Sequence, residues 1–279
     1  MNRDTQSLIS QSAKILKEAD ALIITAGSGI GIDSGLPNYN DPNVFKKLFP
    51  KLGIENISFA QMANPSWFTK NPKRAWAFYA SLKETYAQTE PHNGYEQLLE
   101  LAKTKKEGYF IFTSNVDGHF QKAGFDPLRI EECHGSIHHL QCSFPCGDHT
   151  WQHGPNMPFN AENMELSVDP PTCPYCHSIA RPNILLYSDW NWAESRTDEQ
   201  GTRFSKWFQH VHKNKIPTAV IEVGAGTTIP TVRYQSERLA SALKTPLIRI
   251  NPNNFEVPKD SIGLPLGAKT GINSIFGKL

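Results

Sequence analysis

Short apolar runs alternate with amphipathic stretches along most of this chain. Residues 7–19 place Leu8, Ile9, Ile15, Leu16 and Ala19 on one side of a helix, and ALIIT at 21–25 follows as a strand buried on both faces. The alternation then lapses. Residues 42–90 are rich in aromatics and prolines, with helical stretches such as PKRAWAFYASLKETYA. It resumes with QLLELAK as helix and with YFIFTS (109–114) and LRIEEC (128–133) as strands. Residues 142–178 lapse again, being rich in Cys, Pro, His and Asn with little periodicity. NILLYS (183–188), TAVIEVGA (218–225) and PLIRIN (246–251) then read as three further buried strands, with helices over 198–213 and 231–243.

Strands alternating with helices predict an α/β fold with a Rossmann-like parallel sheet and right-handed crossovers. The two lapses predict a smaller helical and zinc-binding lobe formed by two insertions. The expected large domain is 1–40 plus 91–137 plus 181–279, and the small one 41–90 plus 138–180. A cleft between such lobes is a common ligand site.

Net charge is +1, so bulk electrostatics favour neither nucleic acid nor an anionic membrane, and no direct nucleic-acid partner is expected. The first 20 residues carry charges throughout, unlike a signal peptide, and no run approaches the ~20 apolar residues that span a bilayer. The expectation is a cytoplasmic protein without a membrane partner, whose thiols bind metal more readily than they pair.

Two segments carry chemistry. After the first strand come Gly27, Gly29, Gly31 and Gly35, which let the backbone turn sharply beside a pyrophosphate at the start of a following helix. Ile32 stands where a G-x-G-x-x-G fingerprint would have its third glycine, which disfavours a hydride-transfer enzyme. The second segment holds Cys142-x3-Cys146 and Cys173-x2-Cys176, whose spacings let four thiolates converge on one structural zinc. His149, His153 and His177 stand close enough to replace a cysteine in a mixed site. Cys133, the fifth, is expected to pack.

Taken in order, several segments resemble the sirtuin family, in a divergent, bacterial-type form. TAGSGIGIDSGLP looks like its glycine-rich cofactor loop, TSNVDGHFQKAGF like T-Q-N-I-D-x-L-x-x-x-A-G, and EECHGS like E-x-H-G. The cysteine quartet follows, then RPNILLYSD resembling R-P-x-V-V-x-F-G-E, VGAGTTIPT resembling the late G-T-S-L-x-V-x-P loop, and IRIN. The resemblance implies an NAD-dependent protein-lysine deacylase that releases nicotinamide, O-acyl-ADP-ribose and free lysine, with zinc purely structural. Its alternatives are an NAD-cleaving ADP-ribosyltransferase or glycohydrolase, or a catalytically weak NAD sensor.

By the same resemblance His134 would be the general base, with Asn115 and Asp117 beside it at the nicotinamide pocket and ribose. Gly27, Ser28 and Gly29 would face the phosphates, and Gly224, Ala225 and Asn251 would lie near the adenosine. Asp33, Tyr39, Ser114 and Gly226 complete the implied cofactor-binding set. An acyl-lysine peptide would add as a strand between the lobes near Tyr187 and Val223–Gly226.

The chain departs from the pattern at three places. Asn38-Tyr39-Asn40 stands for D-F-R, Ser114 for a Gln, and Tyr187-Ser188-Asp189 for F-G-E. Asn40 cannot replace a guanidinium's charge and rigid donor fork. An Arg or Tyr in the acyl pocket would favour acidic acyl chains, and Tyr39, Arg74 and Tyr79 are the residues to consider.

Overall fold

The structure is a computed structural model and describes residues 3–144 and 146–279. The opening amphipathic stretch is α1 (Arg3–Glu18), which buries Ile9, Ala13 and Leu16. It feeds β1 (Ala21–Ala26), every residue of which is buried. Then come one turn of helix, α2 (Gly29–Ile32), and a helical segment of α3 (Pro42–Leu48), α4 (Pro50–Ile54), α5 (Phe59–Met62), α6 (Trp67–Lys70) and α7 (Pro72–Gln88). Asp41, Ser58 and Asn71 cap α3, α5 and α7 by accepting backbone N–H bonds, so short helices start where free donors find a side-chain oxygen.

The α/β alternation resumes with α8 (Asn93–Lys103), β2 (Tyr109–Thr113), α9 (His119–Lys122) and β3 (Ile130–Glu132). The cysteine segment is bracketed by β4 (Gly135–Cys142) and contains β5 (Thr150–Gln152), β6 (Phe159–Asn160) and β7 (Glu165–Leu166). The chain ends in β8 (Ala180–Ile184), α10 (Ser195–Lys213), β9 (Thr218–Val223), α11 (Thr231–Leu243), β10 (Leu247–Ile250), β11 (Ile262–Leu264) and α12 (Ala268–Phe276).

The main sheet runs β11-β10-β9-β1-β2-β3 and is parallel throughout. One face packs against α1, α8 and α12 through Ile9, Leu98 and Ile272, the other against α10 and α11 through Phe204 and Leu239. Both faces are therefore apolar, which is why these strands read as unbroken apolar runs. A third cluster around Trp76, Phe78 and Ile137 unites the 42–90 helices with the cysteine segment.

One strand differs from expectation. Residues 183–188 do not join the parallel sheet; the strand is β8, ending at Ile184 and lying antiparallel to β4 in a small sheet ordered β5-β4-β8. The run NILLYS is equally apolar in either setting, and its partner β4 carries His and Gln where a strand pattern wants apolar residues. Gln141 is nonetheless almost fully buried: it accepts from Asn183 and from the Ala193 N–H and donates to the Asn191 carbonyl. Among the described residues, no helix is long and apolar enough to cross a membrane.

Candidate active-site cleft and four-cysteine centre

The carboxyl ends of β1, β2 and β9 lie side by side, and chain order reverses around β1, the place where open α/β sheets hold ligands. Three loops leave these ends and line one cleft of about 270 Å³ with Gly27 and Ser28, with Ser114 to Asp117, and with Ala225 and Gly226. The small lobe closes the other side with Phe59, Tyr79, Leu82 and Tyr86, together with Ile184 to Tyr187.

The glycines serve backbone approach first. A Cβ on Gly27 would lie 2.8 Å from the Ala225 Cα and one on Gly29 2.7 Å from the Gly224 Cα, so the loop after β1 presses directly on the loop after β9. The helix that follows is a single turn, too short for the dipole that the sequence pattern suggested.

The β2 loop is tightly fixed. The Thr113 hydroxyl donates to the Ala26 carbonyl at 2.9 Å and accepts the Asn115 N–H at 3.0 Å. The Val116 carbonyl accepts the Ile137 N–H, and the Asp117 carbonyl lies 3.0 Å from His138 Nε2, so the loop is pinned to β4 as well. Asn115 is buried, and its Nδ2 has no hydrogen-bond partner among the described residues. Burial raises the Asp117 carboxyl above its usual range, although Oδ1 accepts the His119 N–H.

His134 lines the cleft just before β4. Its carbonyl accepts the Leu185 N–H at 3.0 Å, tying it to the segment after β8. Gly135 makes this possible: its φ is +79°, and a Cβ there would sit 2.0 Å from the Asn183 carbonyl oxygen. Burial lowers the imidazole pKa, so His134 is neutral near pH 7 and able to take a proton.

Other expected cofactor residues fall in two groups. Gly27, Ser28, Tyr39, Ser114, Ala225 and Gly226 line the cleft. Gly29 and Gly224 form the loop-to-loop contact behind it. Asn251 is buried, donates to the Ala225 carbonyl at 2.9 Å and accepts the Asn253 and Asn254 N–H groups, so it shapes the β9 loop from behind. Asp33 is exposed, outside the cleft lining, and its carboxylate accepts the Lys269 N–H at 2.8 Å at the start of α12. Sequence position alone could not reveal that α12, a helix without an evident signal, would come to meet it.

The divergent residues have clear surroundings. Tyr39 stacks on Phe59 at 5.8 Å, and burial pushes its phenol up to about 12. The Asn40 N–H donates to the Asn38 side chain, a local turn. Ser188 adopts φ +58°, a conformation glycine takes freely, with its side chain in solvent. Asp189 pairs with the fully buried Arg181 at 2.8 Å and so anchors the segment after β8.

The four sulfurs of Cys142, Cys146, Cys173 and Cys176 lie within 4.8 Å of one another. Cys142 and Cys176 are 3.5 Å apart and Cys146 and Cys173 3.6 Å, close to the ~3.8 Å edge of a tetrahedral zinc–thiolate site with ~2.3 Å bonds. The donor set is all sulfur. His149 instead packs on the Tyr175 ring, and His153 bonds the Ile137 carbonyl. Cys133 is partly buried against the sheet cluster, as expected for a packing residue.

Fold and site together define a two-lobed α/β protein with a ligand cleft at the sheet's carboxyl edge and a four-thiolate centre in the smaller lobe. The chain belongs to the Sir2 family, whose profile matches residues 27–212. It is 26% identical to NAD-dependent protein deacylase 2 of Pseudomonas aeruginosa over 186 residues, 67% of this chain and 68% of that one. It is also 26% identical to an NAD-dependent protein deacylase of Leptospira interrogans over 246 residues, 88% of this chain and 87% of that one. A solved Sir2 homologue in complex with NAD shares the fold, with a TM-score of 0.67 and 18% identity over 99% of this chain and 93% of that one.

Proposed function

We propose that this protein is an NAD-dependent protein-lysine deacylase, with an acyl-lysine protein or peptide as its second substrate. The observation that carries this reading is a neutral imidazole, His134, on the same cleft as Asn115 and Asp117, at the junction of the two lobes. The dinucleotide fits the lining: glycine-rich backbone at Gly27 and Gly226, and a buried Asn115 amide nitrogen still in want of an acceptor. NAD, when bound, supplies an electrophilic ribose carbon with nicotinamide as its leaving group. Asn115 and Asp117 orient the ribose and nicotinamide end, and Tyr39 covers the sugar. His134 Nε2 or Nδ1 takes a proton from a ribose hydroxyl, a role suited to a histidine of lowered pKa at neutral pH.

Zinc fits the sulfur cluster, where four thiolates leave no open position for a substrate, so its contribution is to fold the insertion. We read the molecule as a Rossmann-like domain of 1–40, 91–137 and 181–279 and a small domain of 41–90 and 138–180, with β8 as the strand on which the chain returns.

Nicotinamide release from NAD, measured with and without a pool of acyl-lysine peptides, tests the reading. Peptide-dependent release is expected. Release without peptide would transfer the assignment to ADP-ribosyl transfer or NAD hydrolysis, and its motive is already visible: among the described residues, no Arg or Lys lines the cleft.

A further inference from the structure

The loop after β2 is held in two halves. Its near half is tied to the main sheet, where the Thr113 hydroxyl joins the Ala26 carbonyl to the Asn115 N–H. Its far half is tied to β4. The Val116 carbonyl accepts the Ile137 N–H at 3.0 Å, and the Asp117 carbonyl meets the His138 ring at 3.0 Å. A carbonyl has no proton to give, so Nε2 is the protonated ring nitrogen and the donor. Among the described residues, nothing else donates to the Asp117 carbonyl.

Gly118 is fitted to this contact. Its φ is +76°, and a Cβ there would lie 2.6 Å from His138 Nε2 and 2.8 Å from Cδ2, so the left-handed turn falls on a residue that leaves room for the ring. His138 is braced in turn. Its N–H is accepted by the Ser136 hydroxyl at 3.2 Å, and its carbonyl accepts the His153 N–H at 2.8 Å. The His153 ring bonds the Ile137 carbonyl at 3.0 Å and packs edge-on against the buried Trp76 at 5.3 Å.

The other two loops at the sheet's edge have separate supports. Asn251 and Arg233 donate to the Ala225 carbonyl after β9, and the loop after β1 rests on Gly224. Among the described residues, only the β2 loop of the three is hydrogen-bonded to β4. His138 itself is absent from the cleft lining, whereas Asn115 and Asp117 belong to it.

We propose that His138 is a positioning residue for the nicotinamide end of NAD. Its ring fixes the Asp117 carbonyl, and with it the direction in which Asn115 and Asp117 present their side chains to the cleft. The inference rests on the reading that these two residues meet the nicotinamide ribose, and names the group that keeps them there. Removing the donor frees one end of the cofactor and leaves the other end's supports intact.

The test compares dissociation constants for carba-NAD, whose nicotinamide bond cannot be cleaved, and for ADP-ribose, which has no nicotinamide. Calorimetry on zinc-loaded wild type, His138→Phe, His138→Asn and His138→Gln supplies them. Phe keeps the ring and loses the donor, and Asn keeps an amide that ends too short to reach the carbonyl. Both are expected to weaken carba-NAD at least about tenfold and ADP-ribose less than about twofold, the size of one lost hydrogen bond. Either variant suffices should the other fail to fold. Gln, whose amide nitrogen reaches about as far as Nε2, is expected to restore carba-NAD binding to within about threefold of wild type. Selective loss and rescue, with no deacylation of any acyl-lysine peptide by the wild type, would sustain the inference and remove the deacylase reading alone. Equal weakening of both ligands, as a purely structural role would give, no weakening of carba-NAD, or no rescue by Gln would overturn the inference. A wild type that binds no carba-NAD would overturn both.

Discussion

The parallel sheet and the cysteine insertion are held together by different physics. In the sheet, Leu22, Ile23, Ile24, Val220, Ile221 and Ile248 are all at most 1% exposed, and helices cover both faces. The insertion has strands of two or three residues, few buried apolar side chains, and four thiols within bonding reach of one ion. Its apolar contacts, Met164 and Leu166, lean on the cluster around α7. One region is stabilised by removing hydrocarbon from water, the other by a cross-link that needs a metal. The proposed base stands where they meet, since His134 precedes β4 while Asn115 and Asp117 follow β2.

That contrast can be broken most forcefully at the metal. Structural zinc sites contribute roughly 10–16 kcal/mol of apparent binding energy in small domains, so chelation, or Cys173→Ser, is expected to melt residues 142–178 and abolish activity. Limited proteolysis should then cut within the insertion while β1 and β9 keep their amide protection. Simultaneous loss of protection in the sheet would show that the two regions are one cooperative unit.

A smaller effect is expected from Ile24→Ala at the centre of the sheet, which leaves a cavity and should cost about 2–5 kcal/mol. Denaturant titration reads that loss, and zinc content should stay at one ion per chain. Loss of zinc in this variant would mean that the insertion depends on the sheet.

The smallest effect expected is a pH dependence that separates the regions by sign. Burial holds His139 and His153, both in the small lobe, down to about 4 from 6.5. As pH falls below about 6.5, the unfolded chain takes up protons that these folded sites refuse, so their stability is full above that pH and lost on acidification. Glu131, on β3, is raised by burial to about 7, and there the folded state binds the proton first, so acidification strengthens it. Residue-resolved hydrogen exchange at pH 7 and pH 5, corrected for intrinsic rates, should show protection falling in β4 and β5 but not in β3. Equal loss in all three would refute the regional difference.

The same contrast explains what was legible in the sequence. The helix expected at 231–243 is α11 (Thr231–Leu243), and β1, β2, β9 and β10 begin and end within a residue or two of their apolar runs, because burial on both faces leaves a plain signature. The four-cysteine convergence was legible too, since short spacings restrict where thiols can go. What was not legible depends on distant partners. β4 carries buried Ser136 and Gln141, acceptable only because Asn183 and the turn after β8 satisfy the glutamine. Asp33 turns to α12, and Asn251 reaches the cleft only through the Ala225 carbonyl. Arg74, which the sequence could not position relative to the acyl pocket, is held by Glu55.

The most direct test of the account concerns the imidazole at the junction. The mass of an acetyl-lysine peptide would be followed under single-turnover conditions with NAD, for the wild type and for His134→Ala, both verified as zinc-loaded and folded. The account predicts that the variant loses roughly 10²–10⁴-fold in the rate of acyl loss, the usual share of a general base. An undiminished rate in the variant would contradict it, and would place the base, and with it the reacting end of the cleft, elsewhere.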